Sequence, residues 1–135
     1  MIDKIVLLGE NSEKLALTDI EVDEEYLSAL VNLQSDWFHA SAYSDTSLER
    51  VKEFLLATYK MMVNRRGVAS FINETGNFEL LVTLDEATGR VEVEGVLIKS
   101  MIENSRISFV MSSDYESMNN FFKTLKLLLK STESL

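Results

Sequence analysis

Short segments in which apolar and polar residues alternate recur along this chain of 135 residues, and they restrict its fold more than any other feature. Alternation with a period of two places apolar side chains on one face of a β-strand, because successive residues point to opposite sides of the sheet. Strands are predicted on this basis at residues 4–8, 14–22, 26–33, 68–72, 78–84, 90–98 and 106–111. The stretch QSDWFHASAY, residues 34–43, is a candidate for one more strand.

Two longer segments have the spacing of an amphipathic helix instead, from about residue 48 to 63 and from about residue 114 to 130. Before the first helix, Thr46 and Glu49 have the spacing of a capping box, in which two side chains satisfy free backbone N–H groups. Ser113 and Glu116 have the same spacing before the second helix. Gly67 follows the first helix and can adopt the left-handed conformation that ends many helices.

The order of these segments predicts an α+β fold. Short connections between consecutive strands favour antiparallel pairing, so we expect one curved antiparallel sheet of about seven to eight strands. Both helices are expected to pack on this sheet and to cover its apolar face. Between Val91 and Ile98 the apolar residues change from odd to even positions, and a β-bulge at Gly95 would explain the change. With no Pro-rich or Ser/Gly-rich linker, residues 1–135 are predicted to form a single domain.

The composition excludes several classes of protein. The chain has no cysteine, so it can form neither a disulfide framework nor a thiolate metal site. The apolar run near the start, Ile5 to Leu8, is too short for the core of a signal peptide. No stretch approaches the roughly 20 apolar residues that a membrane-spanning helix needs. We therefore expect a cytoplasmic protein that does not enter a membrane.

Negative charge is concentrated in the first third of the chain. Residues 1–49 contain 11 acidic and 2 basic residues, whereas the remainder contains 11 of each, so the first third carries the whole net charge of −9. Its densest part supplies five carboxylates, at Asp19, Glu21, Asp23, Glu24 and Glu25. Such a segment repels the phosphates of nucleic acids and attracts a basic protein. The plain alternative is a solvated face that keeps the protein soluble.

The sequence offers little catalytic chemistry. His39 is the only histidine, so a metal site with two histidines is excluded, and its near acidic neighbours are Asp36 and Asp45. No nucleophile elbow is present, and the five glycines do not form a phosphate-binding loop. We expect neither enzymatic activity nor a cofactor nor a specific metal site.

The stretch QSDWFHASAY holds the only tryptophan and the only histidine. On a strand, Trp37, His39, Ser41 and Tyr43 would share one side. Phe38, Ala40 and Ala42 would form a small apolar face on the other side, suited to packing on a sheet or a helix. We expect Trp37 to be buried as an anchor of the core. If this row is exposed instead, it is a candidate partner-binding edge beside the acidic segment, because tryptophan and tyrosine are enriched in binding hot spots.

Several segments together suggest a family. They are DWF, the helix SLERVKEFLLATYKMM, the strand GVASF, the pair FELLVTLDEATGRVEVEGVL and the closing ISFVMSSDYESMNNFFKTLKLLL. This succession, over about Tyr26 to Leu129, resembles the WapI-type immunity proteins of bacterial polymorphic-toxin systems. The resemblance implies a small cytoplasmic protein that binds and neutralises a cognate toxin domain, and it supplies no catalytic residues.

Two classes of function follow from the sequence. The first is a toxin-binding immunity protein whose partner can be a basic toxin domain. The expected partner-binding residues are Asp19, Glu21, Asp23, Glu24, Glu25, Trp37, His39 and Tyr43. The alternative is a domain that binds a small ligand in an apolar pocket between the sheet and the C-terminal helix. A homodimer is a further arrangement that the sequence leaves open.

Overall fold

The computed structural model describes residues 2–100 and 105–133. Within these residues eight strands and two helices follow one another as four strands, a helix, four strands and a helix. The strands are β1 Ile5–Leu8, β2 Lys14–Val22, β3 Tyr26–Gln34, β4 His39–Ser47, β5 Gly67–Ile72, β6 Phe78–Leu84, β7 Arg90–Ser100 and β8 Ser105–Asp114. The helices are α1 Leu48–Asn64 and α2 Tyr115–Glu133. The α+β class, the antiparallel pairing and both helices are confirmed.

The strands form two sheets and not the single sheet that we expected. The first has the order β1-β2-β3-β4 and the second the order β5-β6-β7-β8, each with antiparallel neighbours throughout. Helix α1 lies between β4 and β5 in the chain and is about 25 Å long at 1.5 Å per residue. Because the helix separates the end of β4 from the start of β5, these two strands do not pair, and β5 begins a new sheet. The sheets meet where Glu10 N–H donates to the Ser112 carbonyl at 2.8 Å.

The inner faces of both sheets share one hydrophobic core with the two helices. Val31 of the first sheet, Val82 and Val93 of the second, and Met118 of α2 are all fully buried in it. Asn73, at the end of β5, is also buried and donates to the Ser44 hydroxyl of β4 at 2.8 Å. This bond ties the second sheet to the first in the interior. Neither helix in the described part of the chain is long and apolar enough to cross a membrane.

Both helix caps lie one residue from the predicted positions. Ser47, not Thr46, caps α1, and its hydroxyl accepts the N–H of Arg50 at 3.3 Å. Asp114, not Ser113, takes this role for α2 and accepts the N–H of Ser117 at 2.7 Å. In each case the chain offers two adjacent side chains that can accept such a bond. The first of the pair is drawn inward, so the second becomes the cap.

The first helix also ends earlier than Gly67. Arg65 takes the left-handed conformation, with φ of 60°, and its N–H donates to the Met62 carbonyl at 3.3 Å. Its guanidinium lies over the ring of Tyr115, 4.1 Å from the ring centroid. Gly67 instead begins β5, with φ of 117°. Stacking of the arginine on an aromatic ring offsets part of the strain of its backbone.

The bulge predicted at Gly95 is wrong. Strand β7 keeps one register with both neighbours through Gly95, and its register with β8 shifts only later, between Ile98 and Ser100. A Cβ atom at Gly95 would lie 2.9 Å from the Glu79 carbonyl oxygen and would overlap the ring of Phe109. Glycine is therefore used here for close packing beneath an aromatic ring. Val96 and Ile98, which follow it at even positions, lie on the outer face, whereas Leu97 between them is buried in the core.

A bulge occurs in β2 instead. The register of β2 with β3 shifts between Thr18 and Glu21, and Asp19 has a left-handed φ of 49°. The extra residue moves Ile20 and Val22 to the core side and turns Glu21 outward, where it pairs with Ser28. The position of the bulge therefore determines which carboxylates of the acidic segment lie on the same face of the sheet as the outward residues of β4.

Candidate partner-binding surfaces

The solvent-facing side of the first sheet carries several of the predicted partner-binding residues. We call the outward residues of β2, β3 and β4 the first-sheet face. Across it Tyr43 is paired with Leu30, and Leu30 with Thr18. The next row toward the acidic end contains Glu21, Ser28 and Asp45. Tyr43 therefore lies halfway along the edge strand of this face, and its side chain is 69% exposed.

A chain of polar side chains crosses the same face next to Tyr43. The Ser41 hydroxyl donates to Asn32 Oδ1 at 2.7 Å, and Asn32 Nδ2 donates to the Thr18 hydroxyl at 2.9 Å. His39 Nε2 lies 3.3 Å from the same Ser41 oxygen. Because the only hydroxyl hydrogen of Ser41 is used toward Asn32, His39 can only donate to Ser41. This pair is therefore not arranged as a nucleophile and its general base.

Trp37 is exposed, contrary to our expectation that it anchors the core. Its side chain is 93% accessible. Phe38, which we expected on the packing face, is 41% accessible because it also lies in the turn. Trp37 does not lie on β4: residues 35–38 form the loop of the β3–β4 hairpin, closed by a 2.9 Å bond from Ser35 N–H to the Phe38 carbonyl. The Trp37 N–H donates to the Ser35 hydroxyl at 3.1 Å. The turn ends the strand pattern before Trp37 and projects the indole into solvent.

The parity expected for the rest of the stretch is confirmed. His39 and Tyr43 face solvent, whereas Ala42 is buried and Ala40 is half-buried against the core. These small residues let β4 lie close to the other elements. The exposed row beside them is therefore an available surface.

The acidic segment lies at the opposite end of the first sheet from Trp37. Its last three residues, Asp23 to Glu25, form the β2–β3 turn. At about 3.3 Å per residue, the nine residues of β3 place this turn roughly 26 Å from the β3–β4 loop. The structure thus brings Glu21 and Tyr43 onto one face, but it does not gather the eight predicted residues into one compact patch.

Asp23 has a structural role in that turn. One of its carboxylate oxygens accepts the N–H groups of Glu25 and Tyr26, both at 2.8 Å. These two hydrogen bonds hold the pKa of the Asp23 carboxyl below its usual value of 3.8, and the bond from Glu25 has the larger effect. Glu24 and Glu25 are exposed beside it. Unlike the Asp23 carboxylate, which is used in the turn, these two carboxylates make no such bond to the turn backbone in the described structure.

Sequence analysis missed a second surface, a groove of about 1380 Å³. Its floor is the solvent-facing side of the second sheet, and one wall is the N-terminal half of α1. We call it the second-sheet groove. Its charged side chains are five glutamates and one arginine, Glu49, Arg50, Glu53, Glu74, Glu79 and Glu94. A smaller depression shares Glu49 and Glu53 with it and extends to Glu24 and Glu25 of the acidic turn.

The described part of the chain shows no cluster of three or more acidic, histidine or cysteine side chains arranged to hold a metal ion. Inside the protein, the cavity bounded by both sheets and by Phe121 and Leu125 of α2 has a volume of about 40 Å³. That is enough for one or two water molecules and far less than the 300–1,000 Å³ of typical ligand pockets.

Comparisons of the chain with protein-family models, with curated proteins and with solved structures found no match.

Proposed function

We propose that this chain is a non-catalytic binding protein that neutralises a cognate bacterial toxin domain by direct contact, in the manner of an immunity protein. The observation that carries the proposal is Trp37, which is 93% exposed at the tip of a hairpin. A tryptophan in that position contributes almost nothing to the core. Its large apolar surface becomes useful when a partner covers it, and tryptophan is among the residues most enriched in binding hot spots.

The surroundings of Trp37 favour a protein partner. Phe38 lies next to it, and the exposed ring of Tyr43 follows along β4 on the first-sheet face. These aromatic side chains present rigid apolar area with few rotatable bonds, which suits protein recognition. Glu21 and Asp45 flank the face at its other end, so a basic toxin domain would be attracted before it makes contact.

The interior gives no comparable support to a small-ligand function. The cavity at the position expected for such a pocket, between sheet and C-terminal helix, has a volume of about 40 Å³. A drug-sized ligand would need several core side chains to move apart. Protein binding on the surface requires no such rearrangement.

The proposal predicts a cognate toxin domain encoded by a neighbouring gene, and the direct experiment is calorimetric titration of the protein with that domain. We expect saturable binding that Trp37→Ala weakens by about 2 kcal/mol, or roughly thirtyfold in Kd. Leu127→Ala is the matched control, because Leu127 is also exposed, at 58%, but lies on α2. Equal affinity of the two variants, or no binding by the unaltered protein, would contradict the proposal.

A further inference from the structure

We infer that the second-sheet groove is a docking site for a lysine- or arginine-bearing segment of a protein partner. The groove lies on the other sheet from Trp37 and Tyr43, so the inference goes beyond the function proposed above and does not require a toxin as partner.

The floor of the groove alternates carboxylates with apolar side chains. In one row across the sheet, Glu94 of β7 lies between Leu81 of β6 and Val110 of β8. In the next row Glu79 lies between Ile72 and Val96. Each carboxylate is therefore set between two apolar neighbours at cross-strand distances of about 5 Å.

Three apolar residues of the floor are exposed to solvent. Leu81 is 40% exposed, Ile72 43% and Val110 58%. None of this exposed area contributes to the core. It is available to cover the aliphatic part of a partner's side chains, each buried CH₂ contributing about 0.8 kcal/mol.

Two carboxylates on the floor of the groove, Glu79 and Glu94, lack a basic partner among the described residues. The one arginine of the groove, Arg50, is already engaged: Arg50 Nε lies 3.1 Å from Glu74 Oε1, and its Nη1 donates to the Ile72 carbonyl at 2.8 Å. Among residues 2–100 and 105–133, no ion pair joins Glu79 or Glu94 to a basic side chain. These two glutamates are diagonal neighbours on β6 and β7, about 7–8 Å apart at Cα. Their mutual repulsion disfavours the free protein and would be relieved by a bound cation.

Lysine and arginine match this pattern better than other ligands do. Each has an aliphatic stem that can lie on Leu81 or Val110 and a cationic end that can reach the adjacent carboxylate. A nucleic acid would be repelled by the net charge of −4 on the lining. A single small molecule would leave most of the open groove empty, because such ligands occupy enclosed pockets of 300–1,000 Å³. A segment of polypeptide fills the length of the groove.

The test uses the full chain. The probe is a short soluble peptide in which every second residue is threonine and the residues between are lysine and valine in turn. Binding is followed by nuclear magnetic resonance shifts of the backbone amides. We expect saturable shifts at β6, β7 and the N-terminal half of α1. The double variant Glu79→Lys, Glu94→Lys should weaken binding at least about tenfold, and added salt should weaken binding to the unaltered protein.

The control is Asp3→Lys with Glu86→Lys, which changes the net charge equally but lies outside both the groove and the first-sheet face. It should bind the peptide nearly as the unaltered protein does. Equal weakening by both double variants would show a non-specific charge effect and overturn the inference. Shifts confined to the first-sheet face would overturn it as well, and so would a lack of saturable binding. The same holds if a second copy of this chain occupies the groove, which sedimentation experiments would detect as self-association. None of these results depends on whether the toxin-like domain binds through Trp37.

Discussion

The backbone N–H of Ser47 donates to both carboxylate oxygens of Glu74, at 2.9 and 3.2 Å. Ser47 is the N-cap of α1, and Glu74 belongs to the loop between β5 and β6. In a capping box the carboxylate that bonds the N-cap N–H comes from the third residue of the same helix. Here that third residue is Arg50, which pairs with Glu74. A distant glutamate therefore completes the cap and fastens the second sheet to the start of the helix.

Glu74→Ala should lower the free energy of unfolding by about 1–2 kcal/mol, because it removes the acceptor of the N-cap N–H and the partner of Arg50. Glu86→Ala is the matched control. Glu86 also pairs with an arginine, Arg66, but at 3.6 Å and with both side chains about two-thirds exposed. Its loss should cost less than about 0.5 kcal/mol in urea denaturation. Similar losses for the two variants would show that Glu74 contributes only a surface ion pair.

Asn73→Ala should be more damaging. The side chain of Asn73 is buried, donates to the Ser44 hydroxyl at 2.8 Å, and accepts the N–H of Phe78 at 3.2 Å. Its removal leaves buried polar groups without partners between the two sheets, at a cost of about 2–4 kcal/mol. Asn120→Ala, at an exposed position of α2, should change stability by less than about 0.5 kcal/mol. A loss at Asn73 no larger than at Asn120 would contradict this role.

Gly95→Ala tests the close packing of Phe109 against Gly95, the position at which a bulge was predicted. The added methyl group would overlap the ring of Phe109 and approach the Glu79 carbonyl, so we expect a loss of about 1–3 kcal/mol in thermal or urea unfolding. Phe109→Leu removes part of the ring, and in the double variant the loss caused by Gly95→Ala should be smaller. Strict additivity of the two changes would mean that the ring does not restrict position 95.

The acidity of Asp23 should appear in the pH dependence of stability. Because hydrogen bonds lower the pKa of this carboxyl in the folded protein, the carboxylate stabilises the fold above the unfolded pKa of about 3.8. That contribution is lost as the pH falls through the lower folded value. We therefore expect Asp23→Ala to be less stable than the unaltered protein at about pH 7, and the difference to shrink in strong acid. A difference that is constant across this range would exclude the ionised form as its source.

The sequence predicted the structure correctly wherever a residue pattern is compatible with only one structure. Alternation located every strand, and the candidate strand in QSDWFHASAY became β4. The bulge was assigned to the wrong strand because the same parity change occurs twice. From Leu15 and Leu17 to Ile20 and Val22 it reflects the bulge at Asp19, whereas after Gly95 it reflects apolar residues on the outer face.

The binding surfaces depended on arrangements that the linear pattern does not encode. The strand parity was extended through Ser35 into a turn, so the exposure of Trp37 was missed. The second-sheet groove was missed because residues 50–135 have no net charge. Folding separates those charges and places Glu79 and Glu94 on the sheet, away from the lysines of the C-terminal helix. Their alternation with Leu80 and Val93 was the available signal, since it predicts an outward face.

The central claim, that this protein binds a partner protein through the hairpin tip and the first-sheet face, is tested most directly by the fluorescence of Trp37. It is the only tryptophan, and its 93% exposure predicts the emission of a fully hydrated indole in the free protein. Titration with the cognate toxin domain that the proposal predicts, prepared without its own tryptophans, should shift the emission to shorter wavelengths and saturate in parallel with calorimetric binding. Calorimetric binding with unchanged Trp37 emission would contradict this account.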